Sequence, residues 1–389
     1  MKIRWLFLIL TLSLTSCGGQ PSPVVTQPAD QTPPTPAPVI ATSTPALASF
    51  PQVTAPALFN LQMFTEQEGW GVTETALLRT SDGGQTWFDL TPPGLNPVGY
   101  AVNPFFLDLF HAWVLVPTGN GSQQNGNLYR TSDGGLHWAS NAVPFGGGRL
   151  VFLDDSRGWM LADLGVGAGS NAVAIFQTID GGATWTQTYI NDPTVPGAGD
   201  SLPLGGLKFG LTPLDMQTAW VWGVTYAPGR AYLFRTDDGG HTWTPVTLPL
   251  PPQGENAELS IEAMRFFGST GFLAMRLTAE QNQLAIYVSQ DGGTGWILAP
   301  TLLPNGGMTQ FLSAQEAVVY NGDQFYVTRD AAQTWVTVAP NIVFAENFAL
   351  MDFIHPQIGW VVTADITGQR LLYHSTDGGA TWNLLSPQP

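Results

Sequence analysis

The chain has 389 residues, including 44 Gly, 31 Pro and 14 Trp, and charged residues make up only 11%. Helix-rich proteins place many Glu, Lys and Ala residues on solvated helix faces, so this composition favours short strands and turns instead. The formal net charge of −16 and the lack of any Lys/Arg cluster argue against nucleic-acid binding and against electrostatic attachment to anionic lipids.

The first residues have the pattern of an export signal. Lys2 and Arg4 precede an apolar run from Trp5 to Leu14, which is too short to span a bilayer. The next residues are Thr15, Ser16 and Cys17, and Cys17 is the only cysteine. This segment resembles the bacterial lipoprotein signal with its lipobox. The alternative is an ordinary secretory signal with a chance cysteine.

The lipobox resemblance implies cleavage before Cys17 and acylation of that residue. The mature protein would then be exported and lipid-anchored on the outer side of the cytoplasmic membrane, in the cell envelope or at the cell surface. Residues 18–57 are rich in Pro, Thr, Ser and Ala, with almost no charge, which predicts a disordered, extended linker. The predicted organisation is a signal peptide at 1–17, a linker at 18–57 and a folded domain at 58–389.

An eight-residue pattern, first seen as TSDGGQTW, occurs seven times in the folded domain. Its third position is occupied by Asp82, Asp133, Asp180, Asp238, Asp291, Asp330 and Asp377. Its last position is occupied by Trp87, Trp138, Trp185, Trp243, Trp296, Trp335 and Trp382. The aspartates are 51, 47, 58, 53, 39 and 47 residues apart, and a period near fifty is the length of a four-stranded propeller blade.

A second signal precedes each octet. It is clearest in the stretch from Phe152 to Trp159, FLDDSRGW, and several other copies retain its Gly-Trp end. We interpret this signal as a strand, a tight turn and a second strand, with the bulky residue packed between neighbouring blades. Each repeat therefore predicts four strands.

The octet resembles the Asp-box, or BNR repeat. The resemblance implies an all-β fold, a seven-bladed β-propeller of four-stranded antiparallel blades with an Asp-box turn in each blade. The Asp carboxylate would accept hydrogen bonds from the turn, and Gly would permit positive φ. The sixth copy has Ala331 and Ala332 in place of the two glycines, which predicts a strained or rebuilt turn.

Seven equivalent aspartates in seven blades cannot converge on one pocket, so we predict that they and the octet tryptophans are structural. The sequence predicts no catalytic residue, no metal site and no cofactor. The five histidines occupy unlike positions in the repeats, and this does not favour a zinc site. The long loops at 119–127, 165–171 and 191–204 are candidate contact surfaces.

Residues 58–389 most resemble the photosystem II stability/assembly factor family. This resemblance implies a non-catalytic protein-binding or assembly scaffold whose partner is a membrane or envelope protein. Sialidase-like propellers are more distant and imply the alternative, a glycoside hydrolase or a glycan-binding surface protein. A sialidase requires three arginines around a carboxylate, and the candidate inward residues do not occupy corresponding places in the repeats: Arg149, Arg265, Arg276 and Tyr320.

Overall fold

A computed structural model describes residues 47–119 and 125–385 of the chain. The predicted signal peptide with Cys17, and residues 18–46 of the predicted linker, lie outside the described residues. The described chain contains 30 strands and three 3-10 helices of three residues each, Leu47–Ser49, Gly254–Asn256 and Ala345–Asn347. None of these helices is long and apolar enough to cross a membrane.

Five of the six sheets in the described chain are separate units of four consecutive antiparallel strands. The first of them carries an added outer strand, β1 (Gln52–Val53), which pairs with β5 and lies within the stretch predicted as linker. The strands of these sheets are β2 (Asn60–Met63), β3 (Gly69–Val72), β4 (Leu77–Thr80), β5 (Trp87–Asp89); β6 (Asn103–Phe106), β7 (Ala112–Pro117), β8 (Gly126–Thr131), β9 (Ala139–Val143); β10 (Gly148–Phe152), β11 (Gly158–Gly167), β12 (Ser170–Thr178), β13 (Thr186–Ile190); β23 (Met308–Phe311), β24 (Ala317–Tyr320), β25 (Phe325–Thr328), β26 (Val336–Val338); and β27 (Phe348–His355), β28 (Ile358–Ala364), β29 (Arg370–Ser375), β30 (Asn383–Leu384).

The sixth sheet has nine strands and covers the fourth and fifth repeats. Strands β14 to β17 pair in chain order, as do β18 to β21, and β22 pairs with β20 beside β21. One residue pair, Val224 with Ser260, joins the two sets. The strands are β14 (Leu207–Pro213), β15 (Ala219–Val224), β16 (Ala231–Thr236), β17 (Thr244–Pro245), β18 (Glu258–Phe267), β19 (Thr270–Thr278), β20 (Gln283–Ser289), β21 (Ile297–Leu298) and β22 (Leu303–Pro304).

The architecture is an all-β propeller with four-stranded antiparallel blades, as the sequence predicts. Five blades form separate sheets, rather than the seven predicted, because the pair Val224–Ser260 merges the strands of the fourth and fifth repeats. The second strands β3, β15 and β24 are buried along their whole length, since each has a neighbouring strand on both sides and a sheet on both faces. The outermost strands, such as β9, are largely exposed.

The bulky residue of the Gly-Trp signal packs between neighbouring sheets. The Trp113 ring stacks on Phe152 of the following sheet at a centroid distance of 3.8 Å, and its indole N–H donates to the carbonyl oxygen of Gly181 at 2.9 Å. Trp360, in the last sheet, donates in the same way to Gly83 of the first sheet at 2.9 Å. The last sheet therefore packs directly against the first, which closes the ring.

Chain direction gives the propeller two different faces. The turns between first and second strands and the octet turns between third and fourth strands lie on one face, which we call the Asp-turn face. The hairpins between second and third strands and the connections to the next repeat lie on the other, which we call the connection face. The two faces therefore carry different parts of each repeat.

Candidate functional site

Hydrogen bonds within each octet hold the octet turns. The Thr80 hydroxyl donates to Asp82 Oδ1 at 2.9 Å, and the backbone N–H of Thr86 donates to the same oxygen at 2.8 Å. The backbone N–H of Gly84 donates to Thr80 Oγ1 at 2.9 Å. Equivalent bonds recur around Asp133, Asp180, Asp238, Asp291, Asp330 and Asp377. Each of these carboxylates is therefore engaged by its own turn.

The same bonds favour the ionised form of the aspartates. Partial burial of Asp238 opposes ionisation, but hydrogen bonds from the Thr242 hydroxyl and backbone and from the Thr236 hydroxyl outweigh it and lower the pKa of Asp238 to about 2. A carboxylate held this strongly is a poor proton donor or acceptor near neutral pH. The octet aspartates therefore have the electrostatics of turn-stabilising groups.

The sixth turn keeps its geometry despite its two alanines. Ala331 and Ala332 have φ values of 56° and 64°, in the left-handed region that favours glycine. The Thr328 hydroxyl still donates to Asp330 Oδ1 at 2.9 Å, and the N–H of Ala332 still donates to Thr328 Oγ1 at 3.0 Å. Of the two predicted outcomes, strained or rebuilt, the structure therefore shows a strained turn.

The octet tryptophans lie in the interfaces between strands and sheets. Trp87, Trp243, Trp296 and Trp382 are buried, and Trp138, Trp185 and Trp335 are half-buried. The indole of Trp87 donates to the Gly84 carbonyl of its own turn at 2.9 Å. The indole of Trp138 instead donates to Leu90 in the preceding sheet at 2.9 Å. These contacts are consistent with a role in packing.

Polar side chains on the innermost strands connect neighbouring sheets. Asp352 is buried, and its carboxylate accepts hydrogen bonds from the backbone N–H of Met63 and, at 2.9 Å, from Gln310 Nε2. Burial raises the pKa of Asp352 to about 6, although these bonds and the charge of Arg265 oppose the rise. These residues and Gln62 line a cavity of about 360 Å³ where the first strands of four repeats meet.

The structure separates the four candidate inward residues. Arg265 donates to the Phe311 carbonyl at 3.1 Å, and Arg276 is paired with Glu262 at 3.1 Å. The Tyr320 hydroxyl donates to the Gly322 carbonyl, and Arg149 lies in a different cavity, of about 250 Å³, on the connection face. These residues do not form one carboxylate clamp.

The Asp-turn face carries a polar cavity of about 530 Å³ between the second and third repeats. It contains His111 and His137, whose Nδ1 atoms lie 2.9 Å from Asp108 Oδ2 and 2.7 Å from Asp133 Oδ2. Within residues 47–119 and 125–385, no three His, Cys, Asp or Glu side chains are grouped so that they could hold a metal ion. The histidines are paired with carboxylates of their own turns instead.

The connection face concentrates exposed apolar side chains. Ile366, at a hairpin tip, is fully exposed, and Val166 and Tyr226, at two other hairpin tips, are 65% and 50% exposed. Connections between repeats add Tyr100 and Val343, which are 63% and 60% exposed. On the Asp-turn face of the described chain, the exposed large apolar side chains are Phe110 and Ile179. Because exposed apolar side chains are more frequent on the connection face, that face is the candidate functional surface.

The connection face also carries the one lysine that follows the predicted leader. Lys208 is buried, and its Nζ donates to the carbonyl oxygens of Asn171, Leu204 and Gly206 at 2.8, 2.7 and 3.1 Å. Desolvation lowers its pKa to about 8, although the charge of Asp163 opposes the shift. Lys208 therefore joins the 165–171 hairpin to the 191–204 loop, two segments that the sequence singled out as contact surfaces.

Sequence reasoning missed Asp352 and the role of Lys208. A signal for Asp352 was present, because it is the one charged residue in the apolar run from Phe348 to Ile354. A charge in such a run is rarely buried without partners. Lys208 had no comparable signal, since two of its carbonyl partners, Leu204 and Gly206, depend on the conformation of the preceding loop and the third, Asn171, lies 37 residues away.

Comparison with known proteins places the chain among propellers. No family model matches the sequence. A xyloglucanase from Paenibacillus sp. is 28% identical over 189 residues, which correspond to 43% of this chain and 17% of that enzyme. The chain thus spans only a small part of that relative's length.

Among solved structures, YCF48 bound to a D1 peptide is similar with a TM-score of 0.53 and 19% identity, over 84% of this chain and 97% of that chain. A Hadza microbial sialidase, Hz136, is similar with a TM-score of 0.40 and 16% identity, over 74% of this chain and 65% of that chain. At these identities the YCF48 similarity shows the fold alone.

Proposed function

We propose that this chain is a lipid-anchored extracytoplasmic propeller that binds a membrane or envelope protein through its connection face and acts as an assembly scaffold. The observation that carries the proposal is the concentration of exposed apolar side chains on that face, at Val166, Tyr226 and Ile366 among others. The octet carboxylates and the inner-strand polar groups are engaged in internal hydrogen bonds. Recognition by loops requires no catalytic group.

The YCF48 similarity supports a protein-binding role. It covers 97% of that chain, so it corresponds to a whole propeller rather than to a shared fragment. That structure contains a bound D1 peptide, which is a precedent for peptide binding by a propeller of this kind. For this chain we propose only that the ligand is a segment of a protein, without naming that protein.

We also propose that the ring has seven blades, two of them within the nine-stranded sheet. Strands β14–β17 and β18–β21 each pair in chain order, and each set contains one octet turn, at Asp238 and Asp291. One residue pair joins the sets, which is far less than the pairing within either set. Seven octets would then correspond to seven Asp-box blades.

In this proposal the lipid on Cys17 anchors the protein and residues 18–46 separate the propeller from the membrane. An extended Pro-rich segment spans roughly 3 Å per residue, so the propeller would stand tens of ångströms from the lipid. Replacement of Cys17 by Ala should release the exported protein from the membrane fraction. A Cys17→Ala protein that stays in the membrane fraction would contradict the anchor.

The binding role is tested by cross-linking in native membranes followed by affinity purification of the tagged chain with Cys17 intact. We expect one membrane or envelope protein in near-stoichiometric yield. A triple variant, Val166→Ser, Tyr226→Ser and Ile366→Ser, should lose it, because these side chains supply exposed apolar area on the connection face.

The matched control changes exposed apolar residues elsewhere on the propeller. Ile179 lies in an octet turn and Ile297 on an outer strand, and they are 75% and 71% exposed. The double variant Ile179→Ser and Ile297→Ser should retain the partner. Equal loss in both variants, or no recovered protein with the unaltered chain, would contradict binding through the connection face.

A glycoside hydrolase or glycan-binding protein is the second candidate, and the xyloglucanase similarity favours it. Hydrolysis requires two carboxyl groups roughly 5–10 Å apart, one of them with a raised pKa. Asp352 has a pKa raised to about 6 and borders the cavity where the first strands of four repeats meet, and it is the one carboxyl group among the described residues that line this cavity. Release of reducing sugar from xyloglucan, or cleavage of a fluorogenic sialoside, that is lost in Asp352→Asn would establish this candidate. Absence of both activities, together with no binding on glycan arrays, would exclude it.

A further inference from the structure

The connection face has an apolar cavity of about 550 Å³ between the fourth and fifth repeats. Tyr232 and Leu248 contribute one wall, and Leu259 and Met275 of the fifth repeat contribute another. All four side chains are buried to at least nine-tenths, and the Tyr232 hydroxyl donates to the Pro203 carbonyl at 3.0 Å. The walls are therefore fixed by the fold, and the cavity is a preformed apolar site.

The first residue of strand β16, Ala231, borders this cavity, and its outer edge has no paired neighbour in the described chain. The ladder between β16 and β17 consists of two pairs, Phe234 with Pro245 and Arg235 with Thr244. Within the described chain, no strand pairs with Ala231 on this edge. In the second repeat, by contrast, β9 pairs with β8 along its length. Beyond the two pairs of β16 with β17, the backbone N–H of Val246 donates to the Leu233 carbonyl at 2.9 Å, so the outer segment contacts β16 as far as Leu233 and leaves its edge open at Ala231.

The fifth repeat shows what fits such a gap. Counted back from the hydroxyl residue that opens each octet, Leu284 of the fifth repeat corresponds to Ala231 of the fourth. Leu284 pairs with Leu303 of β22, whose side chain is buried, and Gln283 pairs with Pro304. The short extended segment β22 thus supplies, in the fifth repeat, the strand that the fourth repeat lacks.

The rim of the cavity adds a charge preference. Arg230 lines the cavity, is exposed, and makes no ion pair with any residue of the described ranges. It corresponds to Gln283, the residue opposite Pro304 in the fifth repeat. A ligand strand in the β22 register would therefore place its residue after the buried leucine next to Arg230. A carboxylate there would be attracted to the guanidinium.

We propose that the fourth repeat binds an extended segment of a partner protein as an added strand along Ala231 and Tyr232. A leucine-like side chain of the partner enters the apolar cavity, and a carboxylate on the next residue pairs with Arg230. Backbone hydrogen bonds along the strand edge provide affinity and the cavity provides selectivity. This inference rests on the proposed protein-binding function and gives that function a site.

The probe is a fluorescein-labelled peptide with the sequence of residues 301–303 followed by aspartate and alanine, with an amidated C-terminus, so that the aspartate takes the place of Pro304 opposite Arg230. Fluorescence anisotropy measures its binding to the full chain. A second peptide with asparagine in place of the aspartate should bind about two- to fivefold more weakly, as expected for one exposed ion pair. The variant Arg230→Gln should remove the difference between the two peptides.

A filling variant tests the cavity without strain. Gly205 lines the cavity, and a Cβ added there meets no atom within 4 Å, so Gly205→Phe should fold normally and weaken binding at least tenfold. Gly147→Phe is the matched control, because a Cβ at Gly147 also meets no atom and Gly147 does not line this cavity. Hydrogen exchange at Ala231 should slow when the peptide binds.

Three results would overturn the proposal. The first is an absence of peptide binding, or binding that Gly205→Phe leaves unchanged. The second is unchanged exchange at Ala231 with bound peptide, since an added strand must protect that edge. The third is a many-fold gain in affinity when residues 18–46 are deleted, which would identify the chain's own linker as the occupant.

The two proposals fail in different ways. A partner recovered by cross-linking from both the unaltered chain and Gly205→Phe would leave the binding function intact and reject this site. Peptide binding that behaves as described, with no partner recovered from membranes, would support the site and reject the proposed scaffold.

Discussion

The two left-handed alanines of the sixth turn allow a reciprocal test of backbone strain. Ala331 has φ of 56°, whereas the corresponding residue of the fifth turn, Gly292, has φ of 69°. A left-handed conformation costs alanine roughly 1–2 kcal/mol. Glycine avoids that cost but loses about 0.4–1 kcal/mol through the greater freedom of the unfolded chain. Ala331→Gly also gives up part of a buried methyl group, which is worth at most about 0.8 kcal/mol.

These terms predict that Ala331→Gly raises the free energy of unfolding by about 0.5 kcal/mol. Gly292→Ala should lower it by about 0.5–1 kcal/mol, because its new Cβ would meet Leu214 at an ordinary 3.5 Å and only the backbone term remains. Ala332→Gly should be near neutral, since Ala332 is fully buried and loses a whole methyl contact.

The assay is equilibrium unfolding in urea, followed by tryptophan fluorescence, with the three variants and the unaltered chain measured side by side. Opposite shifts of the midpoint for Ala331→Gly and Gly292→Ala are the expected result. Shifts in the same direction, or a destabilised Ala331→Gly, would refute the conclusion that the sixth turn is strained.

Two carboxyl groups with opposite pKa shifts should give opposite pH dependences. Asp238, whose pKa is lowered to about 2, stabilises the folded state at neutral pH, and this stabilisation is lost as the pH falls from about 4 towards 2. The unaltered chain should therefore unfold at a higher urea concentration than Asp238→Asn at neutral pH, and the difference between the two urea midpoints should shrink over this pH range. Asp352, with a pKa raised to about 6, should titrate near pH 6 by carboxyl ¹³C NMR, and its contribution to the free energy of unfolding should grow as the pH falls from 7 towards 4. A carboxyl signal for Asp352 that titrates near pH 4 would contradict the effect of burial. Trp113→Leu should lower the free energy of unfolding by about 2–4 kcal/mol, because it removes the stacking on Phe152 and the hydrogen bond to Gly181. Thermal unfolding measures this loss, and an unchanged melting temperature would show that this interface contributes little to stability.

The four-stranded repeat was predictable because its signals are local. The turn predicted between Phe152 and Gly158 is present, with β10 ending at the first residue and β11 beginning at the second. The hydroxyl, carboxylate and glycine of each octet interact within four residues of one another. Because these hydrogen bonds join residues of one octet, the octet sequence alone was enough to predict the turn.

The packing of the Gly-Trp residue between repeats was predictable, but the polar contacts between repeats were not. The Asp352 carboxylate meets the backbone of Met63, 289 residues away, and Gln310, 42 residues away. Such partners depend on ring closure and on the order of the sheets, which no local pattern encodes. The merging of the fourth and fifth repeats likewise depends on one pair, Val224 with Ser260, that has no signature in sequence.

The candidate binding site arises where one repeat differs from the others. The octets are nearly identical because each turn must satisfy the same backbone groups, so they carry little information about a partner. Outer ladders of two pairs occur in the first, fourth, fifth and seventh repeats, but the fourth repeat leaves the edge beyond its ladder open beside an apolar cavity, and the fifth repeat fills the equivalent gap with β22. Gly205 and Arg230 border that gap and have no counterpart in the octet pattern. In a propeller whose repeats share one scaffold, specific recognition therefore depends on features that the repeats do not share. At the Ala231 end of β16, the fourth repeat combines an apolar cavity, an open strand edge and the unpaired charge of Arg230.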